Sequence, residues 1–273
     1  MRYYRAGTSG PPIILLHGGV LDSSELAYGE VVPRLARDFR IYALDWPEHG
    51  HSWPWSGGTT EGELVGVLDQ MIQHWGIDRI NLVGMSQGGG LAIRYALDHL
   101  DRVDRVVAIG PVGFEDRRWV LTLMRIAVRL PRGPELATRL LARSPRMVRL
   151  MLWATRTHGK KTVGFDESVV IGQDQAQQAV RHGTTIVDDY LYQTYCRRAD
   201  LVDYRAEVER LTVPTLIVQG QKDRSTSRRA LIRATNEMPQ GAYRRVSGAG
   251  HLACRDEPQI LAQVIREFML AKR

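Results

Sequence analysis

Cysteine is nearly absent from this chain: Cys196 and Cys254 are the only two in 273 residues. Their wide separation argues against a disulfide framework and for free thiols in a reducing compartment. No run of about 18 apolar residues occurs, so no transmembrane helix is expected. The first residues, Met1-Arg2-Tyr3-Tyr4-Arg5, lack an apolar signal region, which points to a cytoplasmic location. Metal-ligand patterns are missing too: the eight histidines are scattered, and His49-x-His51 has no cysteine or acidic partner at useful spacing. Neither a metal nor a cofactor is expected. Internal repeats, low-complexity linkers and nucleic-acid-binding motifs are also lacking. What remains is an ordinary globular composition, 44% hydrophobic with a formal charge of +7, at a length suited to one domain with an insertion.

Against that plain background one stretch stands out, Gly84-Met85-Ser86-Gln87-Gly88. The preceding Arg79 to Val83 is short, β-branched and apolar, the signature of a buried strand. Gly89 to His99 follows with helical periodicity. Ser86 therefore stands on a strand-to-helix corner, in a strained backbone conformation. A side chain at 84 or 88 would collide across the turn. A bare Gly-x-Ser-x-Gly also fits a flexible glycine turn, and the flanking strand and helix favour the strained corner.

Two further segments supply what a corner serine needs. Val213 to Gly220 reads as a strand entering a loop that carries Asp223, and Gly248-Ala249-Gly250-His251-Leu252 is a glycine-rich loop before the last helix. A serine hydroxyl is a poor nucleophile until a base takes its proton. His251, with an ordinary pKa near about 6.5, can accept that proton and later donate it. A carboxylate at Asp223 would hold the imidazole tautomer and stabilise the imidazolium. Taken singly, Gln221-Lys222-Asp223-Arg224 fits a solvated charged turn, and His251 fits a loop histidine bonded to backbone. The chain order Ser, Asp, His together with the corner makes the joint reading the stronger one.

Near the start, Pro12 to Leu16 forms another apolar strand and ends in His17-Gly18-Gly19-Val20. These residues, Asp45-Trp46-Pro47-Glu48-His49-Gly50-His51-Ser52, the Ser86 corner and the Asp223 and His251 loops resemble the α/β-hydrolase fold superfamily. The resemblance is to its capped branch of esterases, C–C bond hydrolases and cofactor-free haloperoxidases. It spans both ends of the chain and skips the middle. It implies that Ser86, Asp223 and His251 are catalytic, with backbone N–H groups of Gln87 and Gly19 as oxyanion donors and Val20 as the neighbour able to replace Gly19. Such donors are worth about 2.7–4 kcal/mol each. His17 precedes that loop and suits a structural, backbone-bonding role. One departure is visible: Glu48 stands where the family's Asp-x-x-Gly-His-Gly-x-Ser has glycine. A solvent-exposed loop glutamate is expected there, with a carboxylate near the site entrance as the alternative.

The expected fold is α/β, a mostly parallel twisted sheet of about seven strands flanked by helices, with an inserted helical cap. Residues 1–112 and 211–273 form the core in two parts, and 113–210 form the cap. Arg40 to Leu44 and Val103 to Ile109 read as strands. A helix is expected from about Glu61 to Trp75, with Thr60 and Glu63 as capping box and Gly76 as its end. The final helix buries Ile260, Leu261, Val264, Ile265 and Phe268. At the other end of the chain, Tyr3-Tyr4 leaves room for one edge strand.

The cap is basic in its first half. Between Arg117 and Arg156 lie ten arginines, no lysine and one acidic residue, Glu135. Arg139, Arg143, Arg146 and Arg149 come close to helical spacing, interleaved with Leu136, Leu140, Met147 and Met151. A solvated arginine face with stems over apolar neighbours explains this. A surface that attracts an anionic lipid headgroup, a coenzyme A or carrier-protein thioester, or a carboxylated substrate explains it as well. Trp119, Met124, Met147, Met151 and Trp153, together with Val20, are candidates for an apolar substrate pocket under the cap, although each also suits helix packing.

The resulting expectation is a serine hydrolase that cleaves a carboxylic ester or related acyl substrate, which is anionic or carrier-linked if the arginines contact it. A thioesterase or C–C bond hydrolase is the near alternative. The His17-Gly18-Gly19-Val20 loop lacks the Ser-Gly-Pro-Gly continuation usual in dienoate C–C hydrolases. A non-hydrolytic use of the fold, cyclase-like or as a ligand receptor, is the alternative from another class.

Overall fold

The computed structural model describes residues 1–114, 130–155, 164–196 and 202–271. Seven strands form one sheet in the order β1-β3-β2-β4-β5-β6-β7. They are β1 (Tyr3–Ala6), β2 (Pro12–Leu16), β3 (Arg40–Leu44), β4 (Ile80–Met85), β5 (Val103–Ile109), β6 (Thr215–Gly220) and β7 (Gly241–Val246). Only β1 runs antiparallel, with Tyr3 opposite Leu44 at the edge. The central strands are buried on both faces, so β2, β4 and β6 read as apolar runs and not as alternating ones.

Helices cover both faces. They are α1 (Ser24–Tyr28), α2 (Val32–Leu35), α3 (Glu61–Trp75), α4 (Gln87–Asp98), α5 (Gly133–Arg143), α6 (Pro145–Thr155), α7 (Phe165–Arg181), α8 (Asp189–Cys196), α9 (Arg228–Glu237), α10 (Ala253–Asp256) and α11 (Pro258–Leu270). Successive strand residues point to opposite faces. Ile14, Leu16 and Leu82 accordingly pack with Leu68 and Ile72 of α3 and Leu91 of α4. Ile13, Leu15 and Val83 pack with Leu261 and Ile265 of α11 on the other face. Helix α3 has the expected limits. Glu63 reaches back to the Thr60 backbone N–H at 3.0 Å, and Gly76 closes the helix in the left-handed region at φ 63°.

Between β5 and β6 the alternation stops. Four helices, α5 to α8, lie there among the described residues, in the region read from sequence as a cap. The first three, α5 to α7, share an apolar cluster in which Leu141, Val148, Leu152, Phe165 and Val169 meet Leu21 from the loop after β2, while Tyr190 and Leu191 of α8 pack into the main core. Polar contacts join the same two parts. Gln175 of α7 accepts from Gly50 N–H at 2.8 Å and donates to the Glu48 carbonyl at 2.9 Å. Trp53 stacks on His182, ring centroids 5.1 Å apart. No helix among the described residues is long and apolar enough to cross a membrane.

Candidate active site

The corner after β4 has the strain its sequence implies. Ser86 sits at φ 52°, ψ −113°, a region L-residues rarely occupy. A Cβ at Gly84 would overlap the Gly88 carbonyl oxygen, and one at Gly88 would overlap the Leu16 carbonyl oxygen of β2. The turn holds because Ser86 N–H donates to the Ile109 carbonyl at 2.8 Å, while its own carbonyl accepts from Gly90 at 3.0 Å.

The loops after β6 and β7 bring the two partners to this corner. His251 Nε2 lies 3.1 Å from Ser86 Oγ, and His251 Nδ1 lies 3.1 Å from Asp223 Oδ2. The Asp223 carboxylate is 1% exposed and the imidazole 14%. Burial alone would raise the Asp223 carboxyl. The His251 charge, its hydrogen bond and those from Thr226 and Ser225 outweigh burial and hold it below the ordinary carboxylate range. Ser225 N–H donates to Oδ1 at 2.7 Å, and Thr226 Oγ1 donates to Oδ2 at 2.7 Å. Thr226 accepts in turn from Gln219 Nε2 at 2.9 Å, and Gln219 Oε1 accepts from Tyr243 Oη at 2.6 Å. This buried chain behind Asp223 has no sequence signature, because its members come from β6, the following loop and β7. Gly110 is another unflagged contributor. A Cβ there would stand 3.2 Å from both Asp223 Oδ2 and His251 Nδ1.

The side expected from sequence to hold an oxyanion is built around Gln87, the first residue of α4. The first amides of a helix lack intrahelical acceptors and carry the positive end of its dipole, so the Gln87 N–H is available to an anion. Gly19 lies against it, since a Cβ on Gly19 would overlap Gln87 Oε1. Asp22 fixes the loop by accepting Gly18 N–H at 2.7 Å and Ser23 N–H at 3.0 Å. Burial, partly offset by those two amides, pushes the Asp22 carboxyl up to about 6. His17 is fully buried and structural. Its Nε2 accepts Trp46 N–H at 3.0 Å, so Nδ1 is the protonated nitrogen and donates to the Gly18 carbonyl at 2.6 Å. Burial drives its pKa well below the ordinary value, as that neutral tautomer requires.

The side chain of Gln87 shows a further link. Its Nε2 donates to Asp188 Oδ2 at 2.6 Å, across 101 residues of chain. Asp188 also accepts Leu191 N–H at 2.8 Å in the first turn of α8, and burial raises its carboxyl. Glu48 departs from the exposed position expected of it. It is half-buried at φ 63°, and burial together with Asp188 and Asp189 outweighs the nearby His49 and raises its carboxyl. The turn from Asp45 explains this, because Gly50 and His51 wrap the Asp45 carboxylate and draw Glu48 inward.

The pocket candidates scatter. Val20 is half-buried at φ 68° beside the oxyanion loop. Met147 and Met151 pack against the insertion's own apolar cluster. Trp153 is 52% exposed on the outer surface of α6. Trp119 and Met124 lie outside the described residues. No group of His, Cys, Asp and Glu suited to a metal ion occurs among the described residues.

Known proteins share this architecture. The family model for the alpha/beta hydrolase fold matches residues 11–258. The dihydrolipoyllysine-residue acetyltransferase component of an acetoin cleaving system from Cupriavidus necator is 34% identical over 116 residues, 42% of this chain, and the chain spans only 30% of that protein. Two solved structures share the fold over nearly the whole chain. One is 2-hydroxy-6-oxo-6-phenylhexa-2,4-dienoate hydrolase from Rhodococcus sp. strain RHA1, with TM-score 0.80, 20% identity and coverage of 98% and 94% of the two chains. The other is carboxylesterase CesB from Bacillus subtilis, with TM-score 0.74, 22% identity and coverage of 99% and 88%. By the extent of the family match and by its seven-stranded, mostly parallel sheet, the chain belongs to the α/β-hydrolase family and is a hydrolase.

Proposed function

We propose that the protein is a serine hydrolase acting on a carboxylic ester or closely related acyl compound through an acyl-enzyme. The observation that carries this reading is the line Ser86 Oγ, His251 Nε2, His251 Nδ1, Asp223 Oδ2, with both links at 3.1 Å. In this reading Ser86 Oγ attacks the acyl carbon as its proton passes to His251 Nε2. The carbonyl π pair moves onto oxygen, which the Gln87 and Gly19 amides stabilise. Collapse expels the alkoxide, which takes the proton from His251. A water then gives its proton to His251 as it attacks the acyl-serine, and collapse breaks the bond to Ser86 Oγ, which takes that proton back from His251 Nε2 as the acid leaves. Asp223 keeps the Nδ1–H tautomer and stabilises the imidazolium throughout.

The helical insertion acts as the cap in this scheme, and its contact through Asp188 ties it to the oxyanion side. A cytoplasmic setting belongs to the same reading, in keeping with Cys254 as a buried free thiol. The expected outcome is stoichiometric labelling of Ser86 by a fluorophosphonate. A folded protein that binds small molecules and resists labelling would favour the non-hydrolytic reading. Matched ester, thioester and β-diketone substrates separate the ester hydrolase from its thioesterase and C–C hydrolase variants.

A further inference from the structure

Helices α5 and α6 have apolar residues on two faces, and only one face is used inside the molecule. Thr138, Leu141 and Ala142 of α5 and Val148 and Leu152 of α6 point inward and are buried. The outward stripe of α5 is Leu136, Arg139, Leu140, Arg143, at positions i, i+3, i+4 and i+7. The outward stripe of α6 is Arg146, Leu150, Trp153, at i, i+4 and i+7. Leu136 is 61% exposed, Leu140 50% and Leu150 53%. A merely solvated arginine face would set polar residues between its arginines. Here large aliphatic and indole groups occupy those places, giving an exposed apolar stripe rimmed by positive charge, the pattern of an interaction surface.

We propose that this outer face docks on an anionic lipid surface. Arg132, Arg139, Arg143 and Arg146 are exposed there, opposed within the two helices by Glu135 alone, and none has an ion-pair partner among the described residues. Arg149 shows the contrast: it pairs with Asp166 at 2.6 Å and lies over the Phe165 ring, so its charge is already used within the fold. Guanidinium groups match phosphate oxygens in bidentate geometry, and their stems cover apolar surface. Leucine side chains reach the acyl boundary from a helix lying in the interface, and tryptophan settles at headgroup depth. A second copy of the chain is disfavoured as the occupant, because an isologous contact would set these arginines against each other. Nucleic acid needs the arginines alone and leaves the leucines in water.

The test is cosedimentation of the full chain with phosphatidylcholine vesicles, with and without phosphatidylglycerol. The expected result is partition onto the anionic vesicles, weak partition onto the neutral ones, and loss of binding as salt rises. The double variant Arg139→Gln/Arg143→Gln lowers anionic partition roughly thirtyfold, about fivefold per charge. Leu136→Ser/Leu140→Ser lowers it roughly tenfold or more. Both variants keep the wild-type circular dichroism spectrum and melting curve, so lost binding is not lost folding. Equal partition onto both vesicle types overturns the proposal, as does unchanged binding in either variant. So does a dimer in sedimentation equilibrium that Leu136→Ser/Leu140→Ser abolishes, or salt-dependent duplex DNA binding that the serine variants leave intact. None of these outcomes depends on the bond the enzyme cleaves.

Discussion

Gln87 Nε2 donates a 2.6 Å hydrogen bond to the buried Asp188 carboxylate, so the residue after Ser86 is tied to the helical insertion. The other Asp188 oxygen holds the first turn of α8 through Leu191 N–H. One carboxylate thus orients the Gln87 side chain and holds the start of α8. Asp188→Leu strands a buried amide donor and a backbone N–H, and is expected to lower kcat/KM ten- to hundredfold and stability by about 1–3 kcal/mol. Asp188→Asn can accept Leu191 N–H and, after an amide flip, donate to Gln87 Oε1, which is buried without a partner among the described residues. It should therefore retain most of both. Steady-state kinetics and melting curves of the two variants check this. Equal losses in both would contradict it.

The chain behind Asp223 predicts a graded series. Asp223→Asn should lower kcat about 10⁴-fold through the wrong imidazole tautomer. Thr226→Val removes one of the donors to Oδ2 and leaves His251 in place, so a loss of roughly tenfold is expected. Kinetics on one activated ester would rank the two. A Thr226→Val enzyme as impaired as Asp223→Asn would show that the threonine does more than polarise the carboxylate.

Asp22 should leave a mark on stability against pH. Its carboxyl is raised from 3.8 in the unfolded chain to about 6 in the fold, so the folded state binds the extra proton between those values. The contribution from this group is therefore largest below about pH 4 and declines as pH rises to about 6, by on the order of 3 kcal/mol at most. Asp22→Asn cannot titrate. Urea denaturation across pH 4 to 7 should show the wild-type advantage over Asp22→Asn shrinking up to about pH 6 and flat above. A constant difference would mean that Asp22 keeps an ordinary pKa.

Glu48 is a non-glycine residue held at φ 63°, in the left-handed region that favours glycine. Relief of left-handed strain is worth about 1–2 kcal/mol, offset by about 0.4–1 kcal/mol of added unfolded-chain entropy. Glu48→Gly should therefore raise Tm by roughly 2 °C. A lower Tm would show that the carboxylate makes a compensating interaction.

Much of the frame was legible because its signals are local. Thr60, Glu63 and Gly76 mark both ends of α3 within the helix's own sequence. Gly84 and Gly88 mark the corner at Ser86, and the strand-end loop at Asp223 and the glycine-rich loop at His251, in the chain order Ser, Asp, His, point to its partners. β7 was not legible: Gly-Ala-Tyr-Arg-Arg-Val is a polar edge strand whose arginines face solvent and guard against edge pairing. Asp188, Thr226 and Gly110 were hidden for a different reason. Each matters through a contact far away in sequence, and no spacing rule reaches across it. The basic stripe was visible as arginine spacing, but whether an arginine is spent inside the fold, as Arg149 is on Asp166, depends on tertiary packing.

The most direct test of the catalytic account is pre-steady-state hydrolysis of an activated ester such as a p-nitrophenyl acyl ester. Wild type should release a burst of nitrophenol close to one equivalent per chain, followed by slower turnover as the acyl-Ser86 hydrolyses. Ser86→Ala should show no burst and a kcat lower by about 10⁴-fold or more. A burst of undiminished size in Ser86→Ala, or an unchanged steady rate, would contradict the account.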